Sequence, residues 1–230
     1  MKCPRCKNSK YCKNGFVQLR QRYQCKACKF GYTLERKSTA QSLATKQLAI
    51  DMYTEGLGFR AIGRILKVSN VAVLKWVKAL GKAHCLPTPT SQATPIKVIE
   101  IDEIHSYVQS KKSNAGTWIA VDREAGKFVS FICGDRSTQT GLKLWKKIEG
   151  VDTLAYATDY WKSYAEFLPA DKHMQSKAET YTVEGYNSRL RHYLARLKRR
   201  GKCYSKATYM LEVSLNLLML KLNNQLSIYS

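Results

Sequence analysis

Four cysteines near the N-terminus restrict the fold of this chain more than any other feature. They form two Cys-x-x-Cys pairs, Cys3 with Cys6 and Cys25 with Cys28, at a separation typical of Cys₄ zinc sites. Thiolates with this spacing converge tetrahedrally on one ion, and so short a segment buries too little core to fold without it. We therefore predict a zinc ribbon over residues 1–36 that binds structural Zn²⁺; a redox-active pair of thiols and a fold without a metal ion are the alternatives.

Basic and aromatic side chains alternate between the two cysteine pairs. Arg20, Arg22 and Tyr23 belong to a β-prone stretch that predicts one strand of a small hairpin. Interleaved cations and rings are typical of surfaces that contact nucleic acid, so we predict that Arg20 and Arg22 bind DNA phosphates. The alternative is an exposed face that only keeps this segment soluble.

Residues 45–80 show the hydrophobic period of three short helices. One apolar stripe ends near Gly56, a second begins at Phe59, and Ser69 is a good N-cap for a third helix. This pattern predicts a helix-turn-helix domain over residues 42–83, with its last helix in the major groove of DNA. The polar positions of that helix predict its DNA contacts: Asn70, Lys75 and Lys78. A helical hairpin that binds nothing is the alternative.

The chain changes character after residue 83. Prolines and small polar residues without periodicity indicate a linker over residues 84–95. Residues 96–230 then show three strand-like segments, a helix, a fourth strand and further helices, which predicts a mixed α/β layer architecture. We expect the apolar helix 207–222 to pack on this sheet rather than to form a dimer interface. The predicted fold class is multidomain: a zinc ribbon, an all-α helix-turn-helix and an α/β domain with a C-terminal helical region.

Three acids occupy comparable positions in the α/β region. Asp102 lies in the second half of a β-rich segment, Asp159 follows the short apolar run 154–158, and Glu184 lies on the polar side of an amphipathic helix. Hard cations prefer carboxylate oxygens, and two-metal sites for phosphoryl transfer draw acids from separate elements. We predict that these three acids are catalytic and bind Mg²⁺ or Mn²⁺. Taken singly, each is better explained as a solvated carboxylate, and Asp122 is the rival to Asp102.

An excess of positive charge indicates a polyanionic partner. The chain has 39 Lys and Arg against 17 Asp and Glu, a formal net charge of +22, and each phosphate neutralised by a protein releases condensed counterions. Cations follow the helix of Glu184, with an asparagine on its polar face, and predict a surface that binds the DNA backbone. Its residues are Asn187, Arg191, Arg196, Lys198, Arg199 and Arg200. A solvated helix end is the alternative for the last three.

Nothing in the sequence predicts a membrane protein. No run of about 18 apolar residues occurs, and the N-terminus lacks the apolar core of a secretory signal. Cysteines spaced for metal rather than for disulfides suit a reducing compartment. We expect a soluble cytoplasmic protein that associates with the bacterial nucleoid.

The order of these features resembles the insertion sequence 1 family of bacterial DDE transposases, over nearly the whole chain. The most specific segments are Asp102-Glu103, Thr158-Asp159-Tyr160-Trp161, and the helix with Glu184, Asn187 and Arg191. The resemblance implies an RNase H-like catalytic domain over residues 96–230, a DDE triad formed by the three acids above, and a contact of Arg191 with the DNA end. Tyr160 departs from the pattern, because relatives often have glycine there; this affects loop shape rather than the triad.

The function implied by the resemblance is DNA transposition. Such an enzyme binds the terminal inverted repeats of an insertion sequence, cleaves a strand and joins the freed 3′-OH to target DNA, without a covalent enzyme intermediate. Synapsis of two ends implies a homodimer or larger assembly on double-stranded DNA. Two alternatives remain open: a DNA-binding regulator or inactive transposase copy, and an RNase H-like nuclease that cleaves without joining.

Overall fold

The computed structural model describes residues 1–17, 19–34, 40–87, 95–110, 114–198 and 201–226. The chain forms two compact units, Met1–Gln41 and Ser42–Ser230. The segment predicted as a zinc ribbon lies in the first unit, and the segments predicted as helix-turn-helix and α/β domain lie together in the second. Arg199, Arg200 and residues 88–94 of the predicted linker lie outside the described residues.

The first unit is a three-stranded antiparallel sheet with very little apolar core. Its strands, in spatial and chain order, are β1 (Tyr11–Val17), β2 (Arg20–Cys25) and β3 (Gly31–Thr33). The β1–β2 pairing shifts register between Lys13 and Phe16, where Gly15 has a φ of 70° that glycine adopts without steric cost. The buried cluster in the described part of this unit consists of Cys3, Cys25 and Tyr32. Apolar burial therefore contributes little to its stability.

Three helices begin the second unit: α1 (Leu43–Thr54), α2 (Phe59–Ile65) and α3 (Asn70–Ala83). Ser42 and Ser69 cap α1 and α3, because their hydroxyls accept hydrogen bonds from backbone N–H groups in the first turn. The predicted N-cap at Ser69 is thus confirmed. The α2–α3 turn is tight: a Cβ on Gly63 would lie 2.8 Å from the carbonyl oxygen of Val68. The close backbone approach requires glycine at this position.

A five-stranded mixed sheet forms the centre of the second unit. Its strands, in chain order, are β4 (Ile96–Tyr107), β5 (Asn114–Asp122), β6 (Lys127–Gly134), β7 (Thr153–Thr158) and β8 (His173–Gln175). Their spatial order is β6-β5-β4-β7-β8; the first three form an antiparallel meander, and β7 and β8 run parallel to β4. The predicted mixed α/β architecture and the meander are confirmed.

Helices cover both faces of this sheet. α4 (Thr138–Ile148), between β6 and β7, packs on the face of Ile99 and Ile101. α5 (Tyr181–Tyr193) and α6 (Thr208–Leu222) pack on the face of Ile104. Short 3₁₀ turns occur at Lys162–Glu166, Lys177–Glu179 and Ala195–Leu197. Among the described residues, no helix has both the length and the apolar character needed to cross a membrane.

Helix α6 joins the first three helices to the sheet. Ten of its residues are buried, because α3 packs on one side of it and β6 on another. The Tyr53 hydroxyl of α1 donates to Ser214 of α6 at 2.6 Å, and Lys221 of α6 forms an ion pair with Glu55 at the end of α1. The prediction that this apolar helix packs on the sheet is confirmed, and α1–α3 share one hydrophobic core with the sheet.

Candidate active site

Two of the predicted catalytic acids lie near each other, one on β4 and one directly after the neighbouring parallel strand β7. β4 and β7 pair with Glu100 opposite Ala157. The same register, continued by two residues, brings Asp102 opposite Asp159, which directly follows β7. Paired residues of neighbouring strands point to the same face, at a strand spacing of about 4.8 Å. Both carboxylates therefore lie on one face of the sheet, where β7 ends beside the middle of β4.

Helix α5 brings the third acid to the same place. The Asn187 amide donates to Asp102 Oδ2 at 2.7 Å, and Glu184 lies one turn earlier on the same face of α5. The Glu184 side chain is exposed, with the Thr180 hydroxyl 3.5 Å from its Oε1. Asn187 is only 9% exposed. This burial contradicts the prediction that Asn187 contacts DNA, because its amide is directed at the acid instead.

Asp102 and Asp159 lie in different surroundings, and both surroundings suit a bound cation. Burial raises the pKa of Asp102 above its ordinary value, and the charge of Asp159 raises it as well, while the Asn187 amide opposes the shift. Adjacent carboxylates repel each other, and a divalent cation relieves that repulsion. The backbone N–H of Trp161 donates to Asp159 Oδ1 at 2.9 Å and fixes the orientation of that carboxylate.

A further acid, Glu103, lies beside the site on the opposite face of β4; the sequence analysis gave it no role. Burial raises the pKa of Glu103 to about 7, with Arg136 opposing the shift and Asp102 reinforcing it. Arg136 Nη2 lies 3.6 Å from Glu103, and its guanidinium lies 4.0 Å from the centroid of the Trp161 ring. Glu103 and Arg136 border a cavity of about 210 Å³ next to Asp102. No periodicity marks Arg136, because it lies in a turn after β6.

The basic residues at the end of α5 do not share one environment. Arg191 is half-buried, and its Nη1 donates to the carbonyl oxygens of His105 and Leu197, each at 3.3 Å. Lys198 is exposed. A contact of Arg191 or Lys198 with DNA stays a prediction.

Arg196 is an internal residue, which contradicts its predicted contact with the DNA backbone. Arg196 is only 9% exposed. Its Nε donates to the Tyr53 hydroxyl at 2.8 Å and its Nη1 to the Ser205 hydroxyl at 2.5 Å. Its guanidinium also lies 5.6 Å from the ring centroid of Phe59. The 3₁₀ turn after α5 directs this cation inward, and a run of cations in the sequence does not reveal such a turn.

The three α3 residues that are predicted to contact DNA differ in exposure. Asn70 and Lys75 are exposed, but Lys78 is half-buried, with its Nζ 4.7 Å from the ring centroid of Tyr209 in α6. Arg60 and Arg64 of α2 are both exposed, and their i, i+4 spacing places them on one face of the helix. This pair was not among the predicted DNA contacts, although its spacing is visible in the sequence.

The four predicted metal-binding cysteines converge in the first unit. Their Sγ atoms lie within 4.8 Å of one another, with Cys3 to Cys28 at 3.6 Å and Cys6 to Cys25 at 3.5 Å, far beyond a disulfide bond of about 2.05 Å. The backbone N–H of Cys28 lowers the pKa of the Cys25 thiol to about 6, which favours the thiolate form of Cys25, whereas the pKa of Cys6 is raised to about 12. The cluster can therefore hold a metal ion. The carboxylate oxygens of Asp102, Asp159 and Glu184, by contrast, do not all lie within 4.8 Å of one another among the described residues.

Arg20 and Arg22, the predicted phosphate contacts of this unit, lie on β2. Two residues apart on a strand, they point to the same face; Arg20 is half-buried and Arg22 is exposed. The Arg22 guanidinium lies over β3, so that a Cβ on Gly31 would be 2.7 Å from its Nη2. Their contact with DNA stays a prediction.

The fold and the two sites define a class of protein. It is a mixed α/β protein with one acid in the middle of β4, a second directly after the parallel strand β7, and a separate cysteine cluster that can hold a metal ion. The family described as IS1 transposase matches residues 96–221, more than half of the 230-residue chain. The chain belongs to the IS1 transposase family, as its sequence motifs predicted.

Several similar proteins come from insertion elements of Escherichia coli and Shigella. The chain is 33% identical over 108 residues to the insertion element IS1 4 protein InsB of Escherichia coli K12, a match to 47% of this chain and 65% of that protein. It is 30% identical over 110 residues to the iso-IS1n protein InsB of Shigella dysenteriae, a match to 48% of this chain and 84% of that protein. The chain thus spans just under two thirds of the first relative.

Solved structures resemble this chain only distantly. The HTLV-2 integrase catalytic core domain in complex with magnesium has a TM-score of 0.38 and 16% identity, over 54% of this chain and 86% of that one. A likeness at this level supports no inference about the present site.

Proposed function

We propose that this chain is a DNA transposase that binds the terminal inverted repeats of an insertion sequence and catalyses metal-dependent strand cleavage and strand transfer. Membership of the IS1 transposase family supports the class of reaction. The observation that supports the site most directly is the register that brings Asp102 opposite Asp159, together with the Asn187–Asp102 hydrogen bond from the helix of Glu184. In this proposal the sheet domain is RNase H-like and the three acids form its DDE triad.

Asp102, Asp159 and Glu184 would hold Mg²⁺ or Mn²⁺. Their oxygens are the ligands that hard cations prefer. Asn187 Oδ1, next to Asp102, is buried and has no hydrogen-bond partner among the described residues, so it remains able to accept a bond from water around a cation. A bound cation supplies charge stabilisation at the phosphodiester and lowers the pKa of the attacking oxygen.

The side chains around the acids orient this chemistry. The Asn187 amide fixes one carboxylate oxygen of Asp102, and the Trp161 backbone N–H fixes Asp159. Arg191, two turns after Glu184, is oriented by the carbonyl oxygens of His105 and Leu197. We assign Arg191 to a phosphate at the DNA end, where a guanidinium offers a planar pair of donors.

We assign the four thiols to structural Zn²⁺. A Zn–S distance of about 2.3 Å in a tetrahedral site implies a sulfur separation of about 3.8 Å, close to the 3.5 and 3.6 Å of the two measured pairs. The proposed domains are a zinc ribbon at 1–36, a helix-turn-helix at 42–83, a linker at 84–95 and a catalytic domain at 96–230.

DNA binding outside the active site is assigned to the α2–α3 pair. α3 would enter the major groove through Asn70 and Lys75, and the exposed Arg60 and Arg64 would contact phosphates. The net charge of +22 supports a polyanionic partner. Because transposition joins two ends, we expect a homodimer or larger assembly on chromosomal DNA, in the bacterial cytoplasm at the nucleoid.

The test is a cleavage and joining assay on labelled DNA that contains the inverted repeats flanking this gene. Wild-type protein should give nicked and joined products that require Mg²⁺, and Asp159→Asn should give neither. Asp171→Asn is the matched control, because Asp171 is an exposed acid in the turn before β8; it should retain full activity.

Each other outcome selects a different function. Nicking without joining identifies a nuclease. Specific binding of the repeats without any metal-dependent product identifies a regulator or an inactive copy. Full activity in Asp159→Asn refutes the assignment of the acid triad.

A further inference from the structure

Glu100 is a fully buried acid that belongs neither to the triad nor to the predicted DNA surface. Its side chain is 0% exposed, and it lies on β4 two residues before Asp102, on the same face of the strand. An unpaired carboxylate in such a place strongly destabilises the folded state. The contacts that offset this cost indicate what Glu100 does.

The Glu100 carboxylate caps helix α5. Its Oε2 accepts a hydrogen bond from the backbone N–H of Val183 at 2.8 Å, in the first turn. Thr180 precedes the helix but makes no side-chain cap hydrogen bond, so Glu100 supplies the missing acceptor. A carboxylate here also interacts favourably with the positive end of the helix dipole. Because Val183 directly precedes Glu184, this bond fixes the backbone beside the third acid.

Arg123 connects Glu100 to the residues before the helix. Its Nε donates to Glu100 Oε1 at 2.6 Å. Its Nη1 lies 2.8 Å from Glu179 Oε2, and its Nη2 donates to the Glu179 carbonyl oxygen at 2.6 Å. The guanidinium also lies 5.2 Å from the ring centroid of Tyr181, the first residue of α5. Arg123 thus holds both sides of the start of α5 against the strand of Asp102.

Packing alone does not require this ion pair. Apolar residues of similar volume in place of a buried ion pair often leave stability unchanged or raise it, and α5 already buries Val183, Tyr186 and Leu190. The hydrogen-bonded charges make the packing more specific, because Glu100 and Arg123 have all their partners in only one register of α5 against β4. That register sets the position of Glu184 relative to Asp102.

We propose that Glu100, together with Arg123, is a positioning residue that holds α5, and with it Glu184, in one register against the strand of Asp102, and that the acids bind divalent cations in this register. This inference rests on the proposed function, because it takes the acids of the triad to be metal ligands. Loss of a residue that orients a metal ligand typically lowers metal affinity or activity about 10–100-fold.

The test is Glu100→Gln in the full-length, zinc-loaded protein, a change that keeps the side-chain shape and removes the charge. We expect Mn²⁺ binding, followed by electron paramagnetic resonance, to weaken about 10–100-fold. Amide hydrogen exchange at residues 181–184 should become faster, and binding to inverted-repeat DNA should not change. Arg123→Lys keeps a cation but loses the planar fork of donors, so it should give an intermediate loss. It also provides the comparison if Glu100→Gln does not fold.

Two kinds of control separate positioning from loss of stability. Glu124→Gln breaks the exposed Lys97–Glu124 ion pair near the same turn and should leave both readouts unchanged. Ile148→Val and Leu144→Ala create cavities in the core on the opposite face of the sheet. Whichever of these matches the melting temperature of Glu100→Gln should retain wild-type Mn²⁺ affinity.

Asp159→Asn, measured in parallel, distinguishes the possible failures. If Asp159→Asn loses Mn²⁺ while Glu100→Gln binds it as tightly as the stability-matched control, the positioning role is refuted and the proposed function stands. If Asp159→Asn binds Mn²⁺ like wild type, the triad is not the metal site, and both proposals fail.

Discussion

At the scale of single residues, the amide of Asn187 joins α5 to Asp102 and should affect chemistry rather than DNA binding. Asn187→Ala removes the donor at 2.7 Å from Asp102 Oδ2, so we expect the single-turnover cleavage rate to fall about 10–100-fold. Affinity for the inverted repeat, measured by mobility shift, should stay within twofold because the residue is buried. Ser188→Ala, at the exposed neighbouring position, serves as the control. Weaker DNA binding with an unchanged rate at saturation would restore the original surface assignment.

Arg196 should affect the stability of the fold rather than DNA binding. Arg196→Ala removes hydrogen bonds to Tyr53 and Ser205 and a guanidinium packed on Phe59, so the free energy of unfolding should fall by about 2–4 kcal/mol. The exposed Lys198→Ala should change it by less than about 0.5 kcal/mol. Urea unfolding of both variants tests this. An unchanged midpoint for Arg196→Ala, with weaker DNA binding, would mean that the side chain faces the DNA after all.

The sequence predicts the acids but not the roles of their neighbours. The positions of Asp102 within a strand and of Asp159 directly after one could be predicted, because the apolar neighbours of each acid are a local signature. The role of Arg196 could not be predicted, because its partner Tyr53 lies 143 positions away in the chain. The same limit applies to Asn187 and Glu100, whose bonds cross from β4 to α5 over separations of 85 and 83 positions.

At the scale of elements, the α2–α3 turn depends on Gly63. A Cβ there would lie 2.8 Å from the Val68 carbonyl oxygen and 3.2 Å from the Asn70 backbone N, and backbone atoms cannot rotate away. Gly63→Ala should therefore shift α3 against α2 and lower stability by about 1–3 kcal/mol. Thermal unfolding and inverted-repeat binding should both deteriorate. Gly150→Ala is the matched control, since a Cβ there meets nothing within 4 Å; equal behaviour of the two variants would show that the turn tolerates a side chain.

Elements with strong local signals were predictable, and their pairing was not. The Ser69 cap, the three-strand meander and the apolar helix α6 follow from capping, alternation and helical period. β8 was missed because three residues show no alternation to detect. The parallel β4–β7 register, which brings Asp102 opposite Asp159, depends on the helix between the strands and on the packing of both faces. No local pattern encodes it.

At the scale of the whole molecule, the two units are stabilised by different means. Ser42–Ser230 has helices on both faces of a sheet, so hydrophobic burial stabilises it. The described core of Met1–Gln41 is limited to two cysteines and one tyrosine. If the cysteine cluster holds the proposed ion, metal–thiolate bonds supply most of the stability of the first unit, and we expect the two units to respond differently to a chelator.

Removal of the metal should unfold the first unit and leave the second folded. On treatment of the full chain with a zinc chelator, we expect four additional thiols to react with a thiol reagent, those of Cys3, Cys6, Cys25 and Cys28, because no ion then protects them. Proteolysis should become faster within residues 1–41, while the cooperative melting of the second unit should shift little. Cys6→Ser should reproduce the loss of resistance to proteolysis without chelator, whereas Cys12→Ser, at an exposed cysteine outside the cluster, should not. If chelation exposes no new thiols, the cysteine cluster does not hold a structural ion, and the compactness of the first unit must then come from its hairpin alone.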